Sequence, residues 1–416
     1  MRRQRLILLG LVALGALAVI SGCQPAKKAP PAPPVTETPA PDTTAPVVTL
    51  EIPAHGSSTN NATPGLSGAA GTASGDIATV VVTIFESDGV TVNQMPTATV
   101  TTNTWSATAT TLTDGTYVAQ ATQSDDAGNT GTSTANTFTV DMTSPDVTVD
   151  QAGSQADPTN DPVVHFTVTF TEDVTGFDAA DVALAGTATA TVTDVTGGPA
   201  VYDVEATATT DGTVVATVPA GGAVDAANNP NTVSTSTDNS VNVDTTAPAP
   251  SNVTLANGPG TAGRVAQGDT VTVVYSERLS VNSMCSAWPT TGDASAQTQG
   301  ALSNADVTVA ISATDILTVT STNCTFNFGS IALNGDYVTA NATFGLTATA
   351  NTGSIISWNG TNTLTITLGA LKTGTARTTG QPTANAVPVY TPDAAIKDSA
   401  GNGINTTPFN GTSSRF

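Results

Sequence analysis

Apolar and polar residues alternate along much of the chain. In residues 163–170, Val164, Phe166, Val168 and Phe170 share one parity, while His165, Thr167 and Thr169 share the other. Tyr202, Val204 and Ala206 alternate with Asp203 and Glu205. Val271, Val273 and Tyr275 alternate with Thr270 and Thr272, and Leu364, Ile366 and Leu368 with Thr363, Thr365 and Thr367. Successive side chains of a strand point to opposite faces, so each run predicts a strand with one buried and one hydrated side. Gly, Asn, Asp and Pro punctuate the runs, and Asp114-Gly115 and Asp211-Gly212 are good tight-turn pairs. Many short half-buried strands between turns predict an all-β protein of sandwiches or barrels.

Self-similarity divides the chain. Asp42-Thr43-Thr44-Ala45-Pro46 recurs as Asp141-Met142-Thr143-Ser144-Pro145 and as Asp244-Thr245-Thr246-Ala247-Pro248, at spacings of 99 and 103 residues. About 100 residues is the size of one immunoglobulin-like sandwich. A second mark sits late in each unit: Asp126-Ala127-Gly128-Asn129, Asp225-Ala226-Ala227-Asn228-Asn229 and Asp398-Ser399-Ala400-Gly401-Asn402. A third, Phe170-Thr171-Glu172 and Tyr275-Ser276-Glu277, ends an alternating strand in the last two units. Its recurrence assigns Glu172 and Glu277 a structural role at a strand end. These marks resemble the bacterial Ig-like repeat domains of surface proteins. The resemblance implies tandem sandwiches joined by D-x-T-x-P segments, at 47–140, 146–243 and 249–416. The third unit is enlarged: 121 residues separate Glu277 from Asp398, against 53 between Glu172 and Asp225. Cys285 and Cys324 both lie in that enlargement. In an exported protein they are expected to pair, for about 3–4 kcal/mol on a chain-entropy estimate.

The amino end carries a different signal. Arg2, Arg3 and Arg5 precede an apolar run, residues 6–20, that falls short of the roughly 20 residues of a stable membrane span. Small residues and a cysteine follow, the layout of a secretory signal peptide over residues 1–22. Ile20-Ser21-Gly22-Cys23 resembles the lipobox of bacterial lipoproteins. That resemblance implies cleavage before Cys23, diacylglycerol on its thiol, and attachment to a bacterial membrane. The absence of Asp at position 24 leans toward the outer membrane. Residues 23–46 are rich in Pro, Ala and Thr and read as a semi-extended tether. At about 3.1 Å per residue it spans on the order of 70 Å.

Charge narrows the function. Charged residues make up 11 % of the chain, the net charge is −22, and no Lys or Arg lies between Lys28 and Arg264. Nucleic acid binding needs cations to displace counterions, so that class is excluded. Catalytic constellations are also missing. His55 and His165 are the two histidines, neither lies in a recognisable motif, and no G-x-S-x-G, H-E-x-x-H or Walker loop occurs. The reading is therefore non-catalytic.

Two binding chemistries stay in play. Hard cations want clustered oxygen ligands, and Glu86, Asp88, Asp125, Asp126, Asp141 and Asp244 are the calcium candidates, expected near unit junctions. A linker Asp converging with a turn carboxylate would let an ion stiffen a joint. The competing use of these acids is to hold their own turns. Trp288 and Trp358, in the enlarged unit, are the candidate ligand contacts, while Trp105 is expected in a core. The sequence thus predicts a surface lipoprotein acting as stalk and adhesion module, with a surface protein or glycan as partner. The alternatives are a carbohydrate-binding protein and an accessory subunit of an extracytoplasmic enzyme system.

Overall fold

The computed structural model describes residues 40–288, 307–347 and 352–416. The signal peptide, Cys23 and residues 23–39 of the tether lie outside the described residues. What is described is nearly all β, with one four-residue α-helix, Val281–Met284, and one 3-10 turn, Ala179–Asp181.

Three hydrophobic clusters follow one another along the chain. In the first, Asp76–Phe85 pairs antiparallel with Gly115–Asp125 at the centre of a sheet. Asn136–Val140 extends that sheet on one side and Val92–Gln94 on the other. Gly65–Ala69 and Thr104–Thr108 form a second, two-stranded layer. Between the layers lie Leu66, Val80, Val82, Ile84, Trp105, Tyr117 and Phe138, all buried. Thr102 and Asn103 take positive φ ahead of Trp105. Its indole N–H reaches the carbonyls of Thr49 and Ala69, each at 3.1 Å, which satisfies the polar edge of a buried ring.

The second cluster is a clear two-layer sandwich. Val147–Gln151, Val163–Phe170, Val201–Ala208 and Ala190–Gly197 form one antiparallel sheet, and Ala183–Gly186, Gly212–Thr217 and Ser240–Val243 the other. Val164, Phe166, Val168 and Phe170 are buried against Val204, Val214 and Val241, so the period of two describes this unit's core directly. Burial of apolar area at about 25 cal/mol per Å² is the main stabilising term.

The third cluster is the largest. Pro250–Ala256, Thr270–Tyr275, Thr363–Thr367 and Ile355–Trp358 face a seven-stranded sheet that contains Val307–Ile311 and Val389–Pro392. Four strands between Val307 and Phe344 take up part of the added length. Cys285 and Cys324 are disulfide-bonded, with their Cα atoms 5.6 Å apart. Buried Tyr390 donates to the Phe328 carbonyl at 2.8 Å, and its oxygen lies 3.0 Å from that of buried Tyr275.

Trp288 and Trp358 are not surface platforms. They are 4 % and 3 % exposed. Trp288 packs edge-on to Phe326 at 5.9 Å, and Trp358 lies 6.1 Å from Tyr275. The enlarged unit needs bulky side chains to fill its wider interior, and both indoles are spent there.

Candidate functional site

The structure draws the recurring marks together at the joints between units. The linker aspartates first cap their own turns: Asp42, Asp141 and Asp244 accept from the backbone N–H two residues on, at 2.9, 3.0 and 3.1 Å. A short carboxylate accepting from i+2 is the usual use of Asp in a turn.

The Asp141 and Asp244 linkers are then gripped by the unit before them. Asp114, in the Asp-Gly turn of the first unit, accepts from the Met142 N–H at 2.9 Å and the Thr143 hydroxyl at 2.8 Å. Asp211, in the matching turn of the second, accepts from the Thr245 N–H and hydroxyl, both at 2.8 Å, and from the Thr246 hydroxyl. These hydrogen bonds pull the Asp211 carboxyl below its ordinary range, the Thr246 hydroxyl first. The Asp141 and Asp244 N–H groups donate to the Thr59 and Thr159 carbonyls at 3.0 and 2.9 Å.

The unit after the linker grips it too. Asp225 is buried and accepts from the Ala227 and Asn229 N–H groups and from the Asn229 amide, all at 2.8 Å. That amide also donates to the Asp141 carbonyl at 2.8 Å. Asp398 accepts from the Gly401 and Asn402 N–H groups and the Asn402 amide, which donates to the Asp244 carbonyl at 2.7 Å. The first unit repeats the motif through Asp125, Asn129 and the Asp42 carbonyl. A side-chain amide fixed by a carboxylate thus holds the linker backbone in every unit. Across the first joint, the Asn60 amide also donates to the Asn228 carbonyl at 3.1 Å.

Carboxylates concentrate where these grips meet. One oxygen each of Asp141, Glu172 and Asp225 lies within 4.8 Å of the others, and the same holds for Asp244, Glu277 and Asp398. Among the described residues, none of the six forms an ion pair with a Lys or Arg. Burial leads, and the neighbouring carboxylates add to it, in raising three of these carboxyls. Partial burial, then Asp141 and Asp225, raise the Glu172 carboxyl. Burial, then Asp244 and Asp398, push Glu277 up to about 7. Burial and the nearby Asp398 and Asp211 raise Asp244. Like charges this close disfavour full ionisation, and a hard cation with oxygen ligands relieves them. The donor set fits calcium.

The calcium candidates therefore divide. Asp141 and Asp244 each join a triad. Glu86, Asp88, Asp125 and Asp126 join no group of three among the described residues. Their own turns explain this for three of them. Glu86 accepts from the Asn93 amide. Asp88 accepts from the Val90 and Thr91 N–H groups and the Thr91 hydroxyl, and the Thr91 hydroxyl leads in lowering its carboxyl's pKa. Asp125 is held by Asn129, whose amide leads in lowering that carboxyl as well. Asp126 is exposed. Asp225, Asp398, Glu172 and Glu277 are absent from the calcium candidates read from the sequence, the two aspartates having been noted only as turn marks and the two glutamates as strand-end marks. The signal for the glutamates was present in the repeated aromatic-hydroxyl-Glu step, which sets a carboxylate just past a strand end in both units.

Residues 52–142 and residues 141–243 each match a family model described as a bacterial Ig-like domain. No curated protein matches the chain. One solved structure, titled "Structures of Clostridium thermocellum CbhA fibronectin(III)-like modules", aligns with 48 % of this chain and 94 % of its own. The identity is 16 % and the TM-score 0.26. Domains of the matched families are generally non-catalytic and typically extracellular. No helix among the described residues is long and apolar enough to cross a membrane.

Proposed function

We propose, from the premise that the chain carries two tandem bacterial Ig-like domains, that it works as a non-catalytic, lipid-anchored stalk and adhesion module outside the cytoplasm. The signal-peptide layout and the lipobox-like Ile20-Ser21-Gly22-Cys23 support the anchor. Acyl chains on Cys23 would root it, and several together hold far better than the marginal grip of one. The Pro-rich residues 23–46 would lift the units off the membrane.

One observation carries this reading: the same double grip and the same carboxylate triad recur at two successive joints. A catalytic site has no need of duplication at every joint, whereas a load-bearing row does. Asp141, Glu172 and Asp225 would hold calcium at the first joint, and Asp244, Glu277 and Asp398 at the second. The ion would supply the positive charge that both triads lack. The third unit, farthest from the anchor, is where a partner would be engaged.

Isothermal titration of the chain with calcium, paired with small-angle scattering, tests the joint reading. The expected result is two binding events, one lost in Glu172→Gln and the other in Glu277→Gln, with a stiffer scattering profile when both sites fill. Absence of heat together with identical profiles would overturn it. Mass spectrometry of the membrane fraction tests the anchor, since an unacylated Cys23 contradicts it.

A further inference from the structure

The edges of the third unit's two sheets are guarded unequally. The seven-stranded sheet ends on Leu371–Thr373, which carries Lys372, and on Phe409–Asn410, a strand of two residues. Pro250–Ala256 closes one side of the four-stranded sheet with a proline and a register shift between Pro250 and Asn252. Its backbone is also covered. The Thr412 N–H donates to the Val253 carbonyl at 2.9 Å, and the Leu255 N–H to the Ser414 hydroxyl at 2.9 Å. Charge, proline, irregular register, brevity and cover are the usual ways of blunting a sheet edge.

Ile355–Trp358, on the other side of the four-stranded sheet, has no such guard. It pairs in unbroken register with Thr363–Thr367 and, among the described residues, with no other strand. The Asn359 N–H donates to the Thr363 carbonyl at 3.0 Å. Bonded pairs recur at every second residue of an antiparallel ladder, so Ser357 and Ile355 bond inward, to Thr365 and Thr367. Even-numbered residues of Thr363–Thr367 and its flanks turn the other way: the Tyr275 N–H donates to the Asn362 carbonyl and the Leu368 N–H to the Asp269 carbonyl, both at 2.9 Å. The N–H and C=O of Ile356 and Trp358 therefore point out of the sheet, and no described residue meets them. Their side chains are buried, while Ser357 and Ile355 are exposed.

Charge limits what can approach this edge. The chain carries a net charge of −22, yet no charged residue lies between Asp336 and Lys372. The outer row running back from Ser357 is Thr365, Thr272 and Thr254. A second copy can come up here without setting like charges against each other, which the carboxylate-rich joints do not allow. The edge also matches itself. Two antiparallel copies centred on Ser357 set Ile356 of each opposite Trp358 of the other, so every outward N–H meets an outward C=O.

We propose that Ile355–Trp358 pairs antiparallel with the same strand of a second copy, about a twofold axis at Ser357. The two four-stranded sheets then run on as one. Such a contact is isologous and closes at two copies. At about 0.15 M salt the Debye length is about 8 Å, which screens the net charge carried elsewhere. Two short strands make a weak contact, with a Kd on the order of 0.1 mM.

Cross-linking of the full chain carrying Cys23→Ser, which removes any acyl contribution, tests this. Across the axis the two residues at position 357 have Cα atoms about 4.5 Å apart, the spacing of a non-hydrogen-bonded pair. Under diamide, Ser357→Cys should give a covalent dimer at least about tenfold faster than Thr365→Cys, which sits one strand inward on each copy and so about 10 Å farther from its counterpart. Sedimentation equilibrium at up to about 0.5 mM should show a reversible dimer, which Ser357→Lys weakens roughly tenfold by setting two ammonium groups face to face. Equal cross-linking at the two positions overturns the proposal. So does a monomer at every concentration, a dimer indifferent to Ser357→Lys, or a monomeric chain that takes up a synthetic Thr-Val-Thr-Val peptide at this edge instead.

Discussion

Asp225→Ala probes the grip on the first linker. Its carboxylate accepts three hydrogen bonds at 2.8 Å and is 4 % exposed. A hydrogen bond to a charged group contributes about 1.5–3 kcal/mol, and a buried donor left unmet costs about 1–3 kcal/mol. The three share one acceptor group and do not add fully. Losing a charge beside Asp141 and Glu172 also relieves repulsion. The net loss is then about 3–5 kcal/mol, at the high end for a single substitution. Asp225→Asn relieves the same repulsion and keeps an oxygen for the Ala227 and Asn229 N–H groups, but sets an amide against the Asn229 amide. It should cost about 1 kcal/mol. A unit of this size shifts about 4–8 °C per kcal/mol, so Ala should lower its melting transition by at least about 10 °C and Asn by roughly 5 °C. Scanning calorimetry of the chain reads this, with the second unit's transition identified as the one moved by Phe166→Ala, a fully buried core truncation. Equal shifts for Ala and Asn, or a shift under about 3 °C for Ala, would refute the argument that the carboxylate holds the turn.

The tyrosine pair should respond unequally. Tyr390→Phe leaves both the Phe328 carbonyl and the Tyr275 hydroxyl without their partner and should cost about 2–3 kcal/mol, whereas Tyr275→Phe removes one end and should cost about 1 kcal/mol, measured by urea unfolding of the third unit. Replacing Cys285 and Cys324 together by Ser opens a bridge across 39 positions and should destabilise that unit by about 3–4 kcal/mol, read as a lower calorimetric transition with the other units unmoved. Without divalent cations, pH should matter through Glu277. Its folded carboxyl is raised from an ordinary 4.5 to about 7, so the native state holds a proton that the unfolded chain releases earlier. The contribution is complete below about 4.5 and is lost as pH rises through about 7, and Glu277→Gln should flatten the profile over that window.

The strands were legible because their chemistry is local. Val164, Phe166, Val168 and Phe170 announce one buried face in a run of eight residues, and the structure buries all four. The disulfide was legible because two cysteines remain after Cys23. The joints were legible in part. Asp141 and Asp244 stood out through their repeated setting, but the triads also need Asp225 and Asp398 from late turns and Glu172 and Glu277 from strand ends, residues brought together only by folding. The grips by Asp114 and Asp211 were hidden for a similar reason. An Asp-Gly pair reads as a turn, and nothing in its neighbours says that the carboxylate points at a linker some 30 residues later. Trp288 and Trp358 misled because an aromatic beside a turn looks the same whether the ring faces solvent or a wide core.

Linkers held from both sides should fix the geometry of each joint, and pulsed dipolar spectroscopy across the first joint tests this most directly. Spin labels on Thr79→Cys in the first unit and Thr191→Cys in the second sit at exposed strand positions. The grips predict one narrow distance distribution that broadens when Asp114→Ala and Asn229→Ala are combined. A distribution already broad in the parent chain, or one unchanged by the double substitution, would contradict it.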